Sequence, residues 1–361
     1  MTFGLITLSS LLASATASLS IRAGSAANTF DVLVDGELWF ESGDFPSFRH
    51  NGRRYSAADG TLKMIHAESL TGMDAYGEFE SVTWHWGITS PASQATFYVT
   101  AVRTYPSDGT LIFEQRFPLG ANSSSAGDPD ALISTFPSFE VSAQSKAATK
   151  LPPPSRAFIQ YRGDMAGANA RLDRWSSSAC ANSSSAIVGS GIVNSGPLIV
   201  FSTALEQSVV LSAASNFMAA SQRCAASALS YGLMGNVSSV PAGFSLETIM
   251  SYSPSGPTRA MISWGGKLLA RYGKGRRDAY SRDLTLQKLG YSTDNGAFYY
   301  YQTVSELLLR MQAHIAIPHL LHHQPTPHAA RVQAHTPCGL PRGTRLNLAS
   351  RRRRTKITSR R

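Results

Sequence analysis

The chain has 361 residues, of which 33 are lysine or arginine and 23 are aspartate or glutamate, giving a formal net charge of +10. Eleven of the basic residues but only one acid, Glu306, follow Thr303, so residues 1–303 carry 22 charges of each sign. The basic excess therefore belongs to the carboxyl-terminal segment and does not indicate nucleic-acid binding by the rest. Without a leader and that segment, about 280 residues remain, enough for one large domain or two small ones.

The amino terminus predicts secretion. Residues 1–18 hold an apolar stretch from Phe3 to Leu12, followed by small residues in the Ala-x-Ala pattern of a signal-peptide cleavage site. This stretch is shorter than the roughly 20 apolar residues that span a bilayer, and no later segment is long and apolar enough. It lacks a lysine or arginine, so a disordered Ser/Ala-rich leader is the alternative. We expect the protein to be secreted or to lie in the endomembrane or vacuolar lumen.

Residues 28–256 predict a mainly β fold, an antiparallel β-sandwich. Residues 31–40 contain two apolar runs around Asp35-Gly36, a dipeptide favoured in tight hairpin turns. Residues 96–117 repeat this pattern around Asp108-Gly109, and residues 244–252 alternate like a late strand of the same sandwich. Short strands separated by turn residues favour a sandwich over alternating β-α-β units.

Two kinds of covalent modification are suggested by the sequence. The triplets that begin at Asn122, Asn182 and Asn236 match the acceptor pattern for N-linked glycans. Cys180 and Cys224 both lie in the strand-rich part of the chain. Their spacing leaves two states open, a disulfide and a pair of buried thiols, because spacing does not show whether the sulfurs meet.

The pattern changes at residues 257–272, where apolar residues recur at roughly helical spacing and predict an amphipathic helix. These residues are Met261, Ile262, Leu268, Leu269 and Tyr272. Lys267, Arg271 and Lys274 are expected to line the outer side of the helix. We interpret the segment as a linker helix packed on the sandwich.

The most specific motif follows that helix. Residues 289–301 read LGYSTDNGAFYYY. A segment of the form LGYxTDNGAxYYY after a helix ending in RYGK resembles a group of large secreted proteins related to raffinose synthases and α-galactosidases. Softer similarities in the same order, at residues 72–77, 196–201, 216–219 and 241–248, extend the resemblance over residues 31–303. It implies a sandwich followed by a (β/α)8 barrel, with residues 257–303 forming the linker helix and the start of a truncated barrel.

The resemblance also implies where a sugar would bind. Glycosidases use two carboxyl groups, and in barrels these come from the ends of several strands. Since the chain holds only the first such strand, we predict no catalytic residue, no metal site and no cofactor. The candidate substrate-binding residues of a complete protein are Asp294, Asn295, Tyr299 and Tyr300. The alternative is an Asp-Asn-Gly turn followed by half-buried strand tyrosines.

Residues 304–361 differ from the rest of the chain. Six of the nine histidines lie here, together with the run Arg351 to Arg354, and no phenylalanine, tyrosine or tryptophan follows Tyr301. The composition predicts disorder. Metal binding by the histidines, a basic targeting run and a genuine extension are alternatives. We favour a frameshifted or misspliced end, because the change comes directly after Thr303, where the resemblance requires more barrel.

These patterns predict the amino-terminal fragment of a secreted glycoside-hydrolase-like protein that acts on α-linked sugars, with the fragment itself inactive. The alternative is a non-catalytic carbohydrate-binding or structural β-sandwich protein. Carbohydrate is the expected partner, and no nucleic acid is expected at the folded part. The sequence does not indicate an oligomeric state.

Overall fold

A computed structural model describes residues 19–23, 29–43, 46–88, 95–141, 156–160, 171–180, 196–202, 206–225, 228–274 and 282–288. The chain divides into two compact units, Met1–Asp283 and Leu284–Arg361. The leader, Asn182, the LGYSTDNGAFYYY motif and the segment after Thr303 lie outside the described residues.

The described strands are numbered in chain order. They are β1 (Leu19–Ala23), β2 (Phe30–Val34), β3 (Glu37–Glu41), β4 (Ser47–His50), β5 (Arg53–Ser56), β6 (Leu62–Asp74), β7 (Gly77–Ile88), β8 (Tyr98–Tyr105), β9 (Thr110–Phe117), β10 (Ala121–Asn122), β11 (Ser134–Thr135), β12 (Ser138–Glu140), β13 (Arg156–Gln160), β14 (Arg171–Arg174), β15 (Leu198–Ser202), β16 (Ser208–Ala213), β17 (Ala220–Ala225), β18 (Ala228–Leu233), β19 (Ser239–Val240) and β20 (Phe244–Ser253). The helices are α1 (Gly256–Arg271), α2 (Leu284–Gln287) and a 3₁₀ turn at Ser177–Cys180. No described helix has the length and apolar character needed to cross a membrane.

The strands confirm the prediction of a mainly β, antiparallel fold. One nine-stranded sheet has the order β14-β13-β15-β16-β20-β9-β8-β7-β6. The predicted turn at Asp35-Gly36 joins β2 to β3, and both residues have positive φ angles, 51° and 82°. Such angles suit a tight hairpin, because they match the twist of the flanking strands. Asp108-Gly109 likewise lies in the connection between β8 and β9.

Smaller sheets pack on one face of the nine-stranded sheet, giving the two layers of a sandwich. They have the orders β1-β2-β3, β11-β4-β5, β12-β18-β17 and β10-β19. The core between the layers joins Phe30 of β2, Phe139 of β12 and Phe113 of β9. The ring of Phe113 lies 5.7 Å from the rings of both Phe30 and Phe139, measured between centroids. We call this the core face of the nine-stranded sheet.

Helix α1 packs on the opposite face, which we call the helix face. Ala260 is fully buried there against Ile199 and Val210, and Trp264 contacts the same cluster. The helix was predicted from apolar periodicity at residues 257–272 and is confirmed at Gly256–Arg271. Gly256 has a φ angle of 83°, which glycine adopts without steric cost. This conformation turns the chain from β20 into the helix.

The predicted outer position of Lys267 is wrong. Its side chain is only 8% exposed, and its Nζ donates to the carbonyl oxygen of Asp108 at 2.7 Å and to Ser251 Oγ at 3.0 Å. Arg271 is also engaged, since it donates to Glu247 Oε2 at 3.1 Å. The prediction assumed that a charged side chain faces solvent. The aliphatic part of a lysine can instead pack on apolar surface while its ammonium group reaches a polar partner. Lys274 is exposed, as predicted.

Cys180 and Cys224 are bonded to each other, with their Cα atoms 4.9 Å apart. The disulfide links the 3₁₀ turn to β17. Asn122 and Asn236 are both exposed, and Asn122 of β10 is paired with Ser239 of β19. Glycosylation of the three predicted asparagines stays a prediction.

Candidate functional site

A buried ionic network crosses the helix face. Arg103 of β8 donates through Nη1 to Asp74 Oδ2 at 2.7 Å and through Nη2 to Glu247 of β20. Arg271, the last residue of α1, donates to the other carboxylate oxygen of Glu247 at 3.1 Å. The side chain of Glu247 is only 6% exposed. The network thus joins the β6–β7 hairpin, two central strands and the helix.

Protein donors occupy both oxygens of each carboxylate in this network. Tyr105 donates its hydroxyl to Asp74 Oδ2 at 2.6 Å, and the backbone N–H of Tyr76 donates to Asp74 Oδ1 at 2.8 Å. Burial and the hydrogen bond to Asp74 raise the pKa of Tyr105, which keeps its hydroxyl a donor. Because both oxygens of Asp74 and of Glu247 already accept hydrogen bonds from the protein, we assign this network a structural role.

Glu114 of β9 lies beside the network and opposite Glu247 of β20. Directly opposed like charges destabilise a sheet. Burial raises the pKa of Glu114, and this effect outweighs the attraction of Arg116 and Arg103. Its contact with Arg116 is loose, at 3.5 Å.

The second candidate is a cavity of about 190 Å³ between the two layers. Its walls come from β16, β17, β18 and β20 and from the chain on either side of them. The lining residues are Gly196, Ala213, Phe217, Met218, Ala220, Ser221, Gln222, Tyr231, Gly232, Leu246 and Thr248. β17 is an edge strand of the small sheet β12-β18-β17. The cavity therefore lies at an edge of the layer that is formed by the smaller sheets.

The polar side of the cavity is built on β17 and β18. Tyr231 and Gln222 are directly opposed on these strands, and Ser221 is the neighbour of Gln222. The hydroxyl of Tyr231 is buried and has no hydrogen-bond partner among the described residues. Burial raises the pKa of Tyr231, so the phenol is neutral and can both donate and accept. A buried polar group left without a partner costs about 1–3 kcal/mol, which a bound hydroxyl group would offset.

The apolar side of the cavity reaches the surface. Phe217 and Met218 line the cavity and are 48% and 73% exposed. The ring of Phe217 lies 6.1 Å from that of Tyr272, whose hydroxyl donates to the carbonyl oxygen of Ala214 at 2.7 Å. Asn216 holds the same loop by donating from Nδ2 to the carbonyl oxygen of Ser245 at 2.6 Å. An aromatic surface is therefore held at the opening by contacts on both sides.

The four predicted substrate-binding residues, Asp294, Asn295, Tyr299 and Tyr300, lie outside the described residues and stay predictions. Sequence reasoning missed the cavity, because its walls come from two different sheets whose packing no local pattern specifies. One sequence signal did touch it, since residues 216–219 are among the softer similarities of the family resemblance.

No protein-family model matches the chain, and no curated protein matches its sequence. Solved structures of the α-N-acetylgalactosaminidase NagBb from Bifidobacterium bifidum are similar to it. The quadruple mutant has a TM-score of 0.49 at 11% identity, covering 82% of this chain and 49% of that one. The GalNAc complex has 0.47 at 11%, covering 82% and 48%, and the Gal-NHAc-DNJ complex has 0.43 at 13%, covering 70% and 38%. This chain thus spans less than half the length of each of these structures.

Proposed function

We propose that this chain is the amino-terminal part of a secreted glycoside-hydrolase-like protein that acts on α-linked sugars. Its β unit binds one sugar ring in the cavity between the layers and does not hydrolyse it. The family and the secretion are supported by the LGYSTDNGAFYYY motif and the leader of the sequence. Sugar binding is supported by the chemistry of the cavity.

The observation that carries the sugar-binding proposal is the buried hydroxyl of Tyr231. Sugar hydroxyls both donate and accept hydrogen bonds, and a neutral phenol can accept a hydrogen bond from them or donate one to them. The polar residues Gln222, Ser221 and Thr248 also line the cavity. A polar ligand bound there would satisfy Tyr231 without requiring any new charge.

The size and the opening of the cavity fit a small sugar. Sites for drug-sized ligands measure roughly 300–1,000 Å³, and a volume of about 190 Å³ suits one ring better than an oligosaccharide. The half-exposed ring of Phe217 offers an apolar platform for the C–H face of that ring. Small-molecule sites commonly combine apolar and aromatic lining residues with a few polar groups that orient the ligand.

The ionic network supports the absence of hydrolysis by the β unit. Two of the carboxylates described above, those of Glu247 and Asp74, are held by arginine, tyrosine and backbone donors. A glycosidase needs one carboxyl group as an acid and a second as a nucleophile or base, both facing the substrate. In this proposal those groups belong to the barrel that the resemblance implies.

Calorimetry with sugars tests the proposal. We expect saturable binding of methyl α-galactoside or raffinose to the chain and no release of galactose. Phe217→Ala should weaken binding by about 0.5–1.5 kcal/mol through the lost ring contact. Leu172→Ala is the matched control, because Leu172 is an exposed apolar residue that does not line the cavity. No saturable heat with any α-galactoside would contradict the proposal.

A second role of the β unit is to hold α1 in a fixed position ahead of the segment that follows. The contacts of α1 with the sheet favour this role. Trp264 Nε1 donates to Ser212 Oγ at 2.8 Å near its middle, and Lys267 and Tyr272 fix its second half. A helix held in this way gives the next segment a defined starting point. This role predicts that changes at Lys267 lower stability and leave sugar affinity unchanged.

A further inference from the structure

Two histidines and a glutamate meet on the helix face at the free edge of the nine-stranded sheet. β6 is the edge strand, and His66 lies directly opposite His85 of β7. Glu68 lies two residues beyond His66 on the same strand. Alternate residues share a face of a sheet, and so do opposed residues. The three side chains therefore share one face.

A bulge in β6 creates this arrangement. Met64 lies opposite Trp86, and the register shifts between Met64 and His66 so that His66 lies opposite His85. With a continuous ladder, Ile65 would take that place and His66 would lie opposite Trp84, whose side chain packs into the core. Bulges re-aim side chains in this manner and are common at sheet edges.

The distances suit a shared ion. One ligand atom from each of His66, Glu68 and His85 lies within 4.8 Å of the others. His85 Nε2 is 3.1 Å from Glu68 Oε1, and the two imidazole rings stack with centroids 4.0 Å apart. Zinc bonds of about 2.0–2.2 Å bring two ligand atoms within roughly 3–4 Å of each other. The stacked rings lie at an interplanar angle of 14°, so the imidazoles must rotate to aim both nitrogens at one ion.

The ligand set also selects the metal. Two imidazole nitrogens and one carboxylate oxygen suit zinc and its first-row neighbours, whereas calcium and magnesium prefer sites made of oxygen alone. The carboxylate of Glu68 is 44% exposed and the imidazole of His85 19%, so an ion can enter and water can complete its coordination. An ordinary surface pair of His85 and Glu68 would be worth about 0–1 kcal/mol and needs no second histidine.

We propose that His66, Glu68 and His85 bind a zinc ion that ties the edge strand β6 to β7. The site is independent of the sugar cavity, which lies on the core face. An ion bound only by the folded hairpin stabilises the folded state by mass action.

The test is thermal unfolding of the full chain with and without zinc chloride. Six histidines in residues 304–361 can also bind zinc. The test therefore compares the zinc-dependent shift of the unfolding midpoint between variants and does not use the total amount of zinc bound. The wild-type midpoint should rise with zinc and go on rising with the logarithm of the zinc concentration once the site is filled, and calcium should give no rise. His66→Gln and His85→Gln should each lose the zinc-dependent rise.

His50→Gln is the matched control, because His50 is the other described histidine and lies outside the cluster. It should keep the full rise. If a histidine variant does not fold, Glu68→Gln supplies the same comparison with a smaller change, and zinc should then give a reduced rise. A rise of equal size in wild type, His66→Gln and His85→Gln would overturn the proposal, and so would no rise in wild type.

Discussion

The ammonium of Lys267 on α1 lies 2.7 Å from the carbonyl oxygen of Asp108 in the turn between β8 and β9. The same nitrogen reaches Ser251 Oγ of β20 at 3.0 Å, so one side chain joins the helix to the hairpin and to the sheet. Burial lowers the pKa of Lys267, and the nearby Asp108 opposes this shift. The contact fixes the helix at the point where the chain leaves the sandwich.

Removing Lys267 should therefore destabilise the fold. We expect Lys267→Ala to cost about 2–4 kcal/mol in unfolding free energy, since it removes two hydrogen bonds to a charged group and leaves a cavity. Lys267→Met should cost less, because it keeps the stem. Urea unfolding measures both, with the exposed Lys274→Ala as the control. A loss below about 0.5 kcal/mol for Lys267→Ala, the range of ordinary surface changes, would show that this contact does not hold the helix.

The ionic network should respond more strongly than a surface pair. Arg103→Ala leaves Asp74 and Glu247 without their shared partner, and breaking a buried pair in this way costs about 3–5 kcal/mol. The matched change is Arg22→Ala, because Arg22 pairs with Asp31 at 2.7 Å but is 53% exposed. It should cost about 0–1 kcal/mol. Equal losses in urea unfolding would contradict the structural role of the network.

Glu114 should make stability depend on pH. Its folded pKa lies above the ordinary value of 4.5, so the folded state holds the proton more tightly than the unfolded chain. The stabilisation is fully present below pH 4.5 and is lost as the pH rises through the folded pKa. Glu114→Gln should therefore raise the unfolding free energy at pH 7, and its advantage should vanish towards pH 4. An advantage that grows as the pH falls would show that the sign is wrong.

Asp294 is predicted to contact substrate in the complete protein. Another reading frame past the codon for Thr303 should continue with alternating strands and helices and with paired carboxylates. In that protein, Asp294→Ala should lower kcat/KM by roughly 10–100-fold, since a hydrogen bond to a charged group contributes about 1.5–3 kcal/mol. Unchanged kinetics would leave Asp294-Asn295-Gly296 as a simple turn.

The parts of the fold that were predictable from sequence are those set by local chemistry. Asp35-Gly36 marks a hairpin because both residues accept positive φ angles, and the structure has 51° and 82°. The helix at Gly256–Arg271 follows from apolar spacing, which packing on the sheet then uses. The antiparallel class follows from strands separated by short turns.

The sites were not predictable, because they depend on strand register and on how the sheets pack against each other. His66 lies opposite His85 only because β6 has a bulge after Met64. No residue in that stretch of the sequence predicts the bulge. Tyr231 and Thr248 line one cavity because two sheets meet there, which no local pattern specifies. Lys267 was misplaced because its partners are set by tertiary packing: the carbonyl oxygen of Asp108 lies in a turn 159 residues earlier in the chain, and Ser251 lies on β20.

Sugar binding by the cavity is tested most directly by comparing two tyrosine variants in calorimetric titrations with methyl α-galactoside. Tyr231 and Tyr76 each carry a buried hydroxyl without a hydrogen-bond partner among the described residues, but only Tyr231 lines the cavity. Loss of one hydrogen bond worth about 1–1.5 kcal/mol corresponds to an affinity change of roughly tenfold. We expect Tyr231→Phe to bind about tenfold more weakly than wild type and Tyr76→Phe to bind equally well. Binding by Tyr231→Phe as tight as that of wild type would contradict the account.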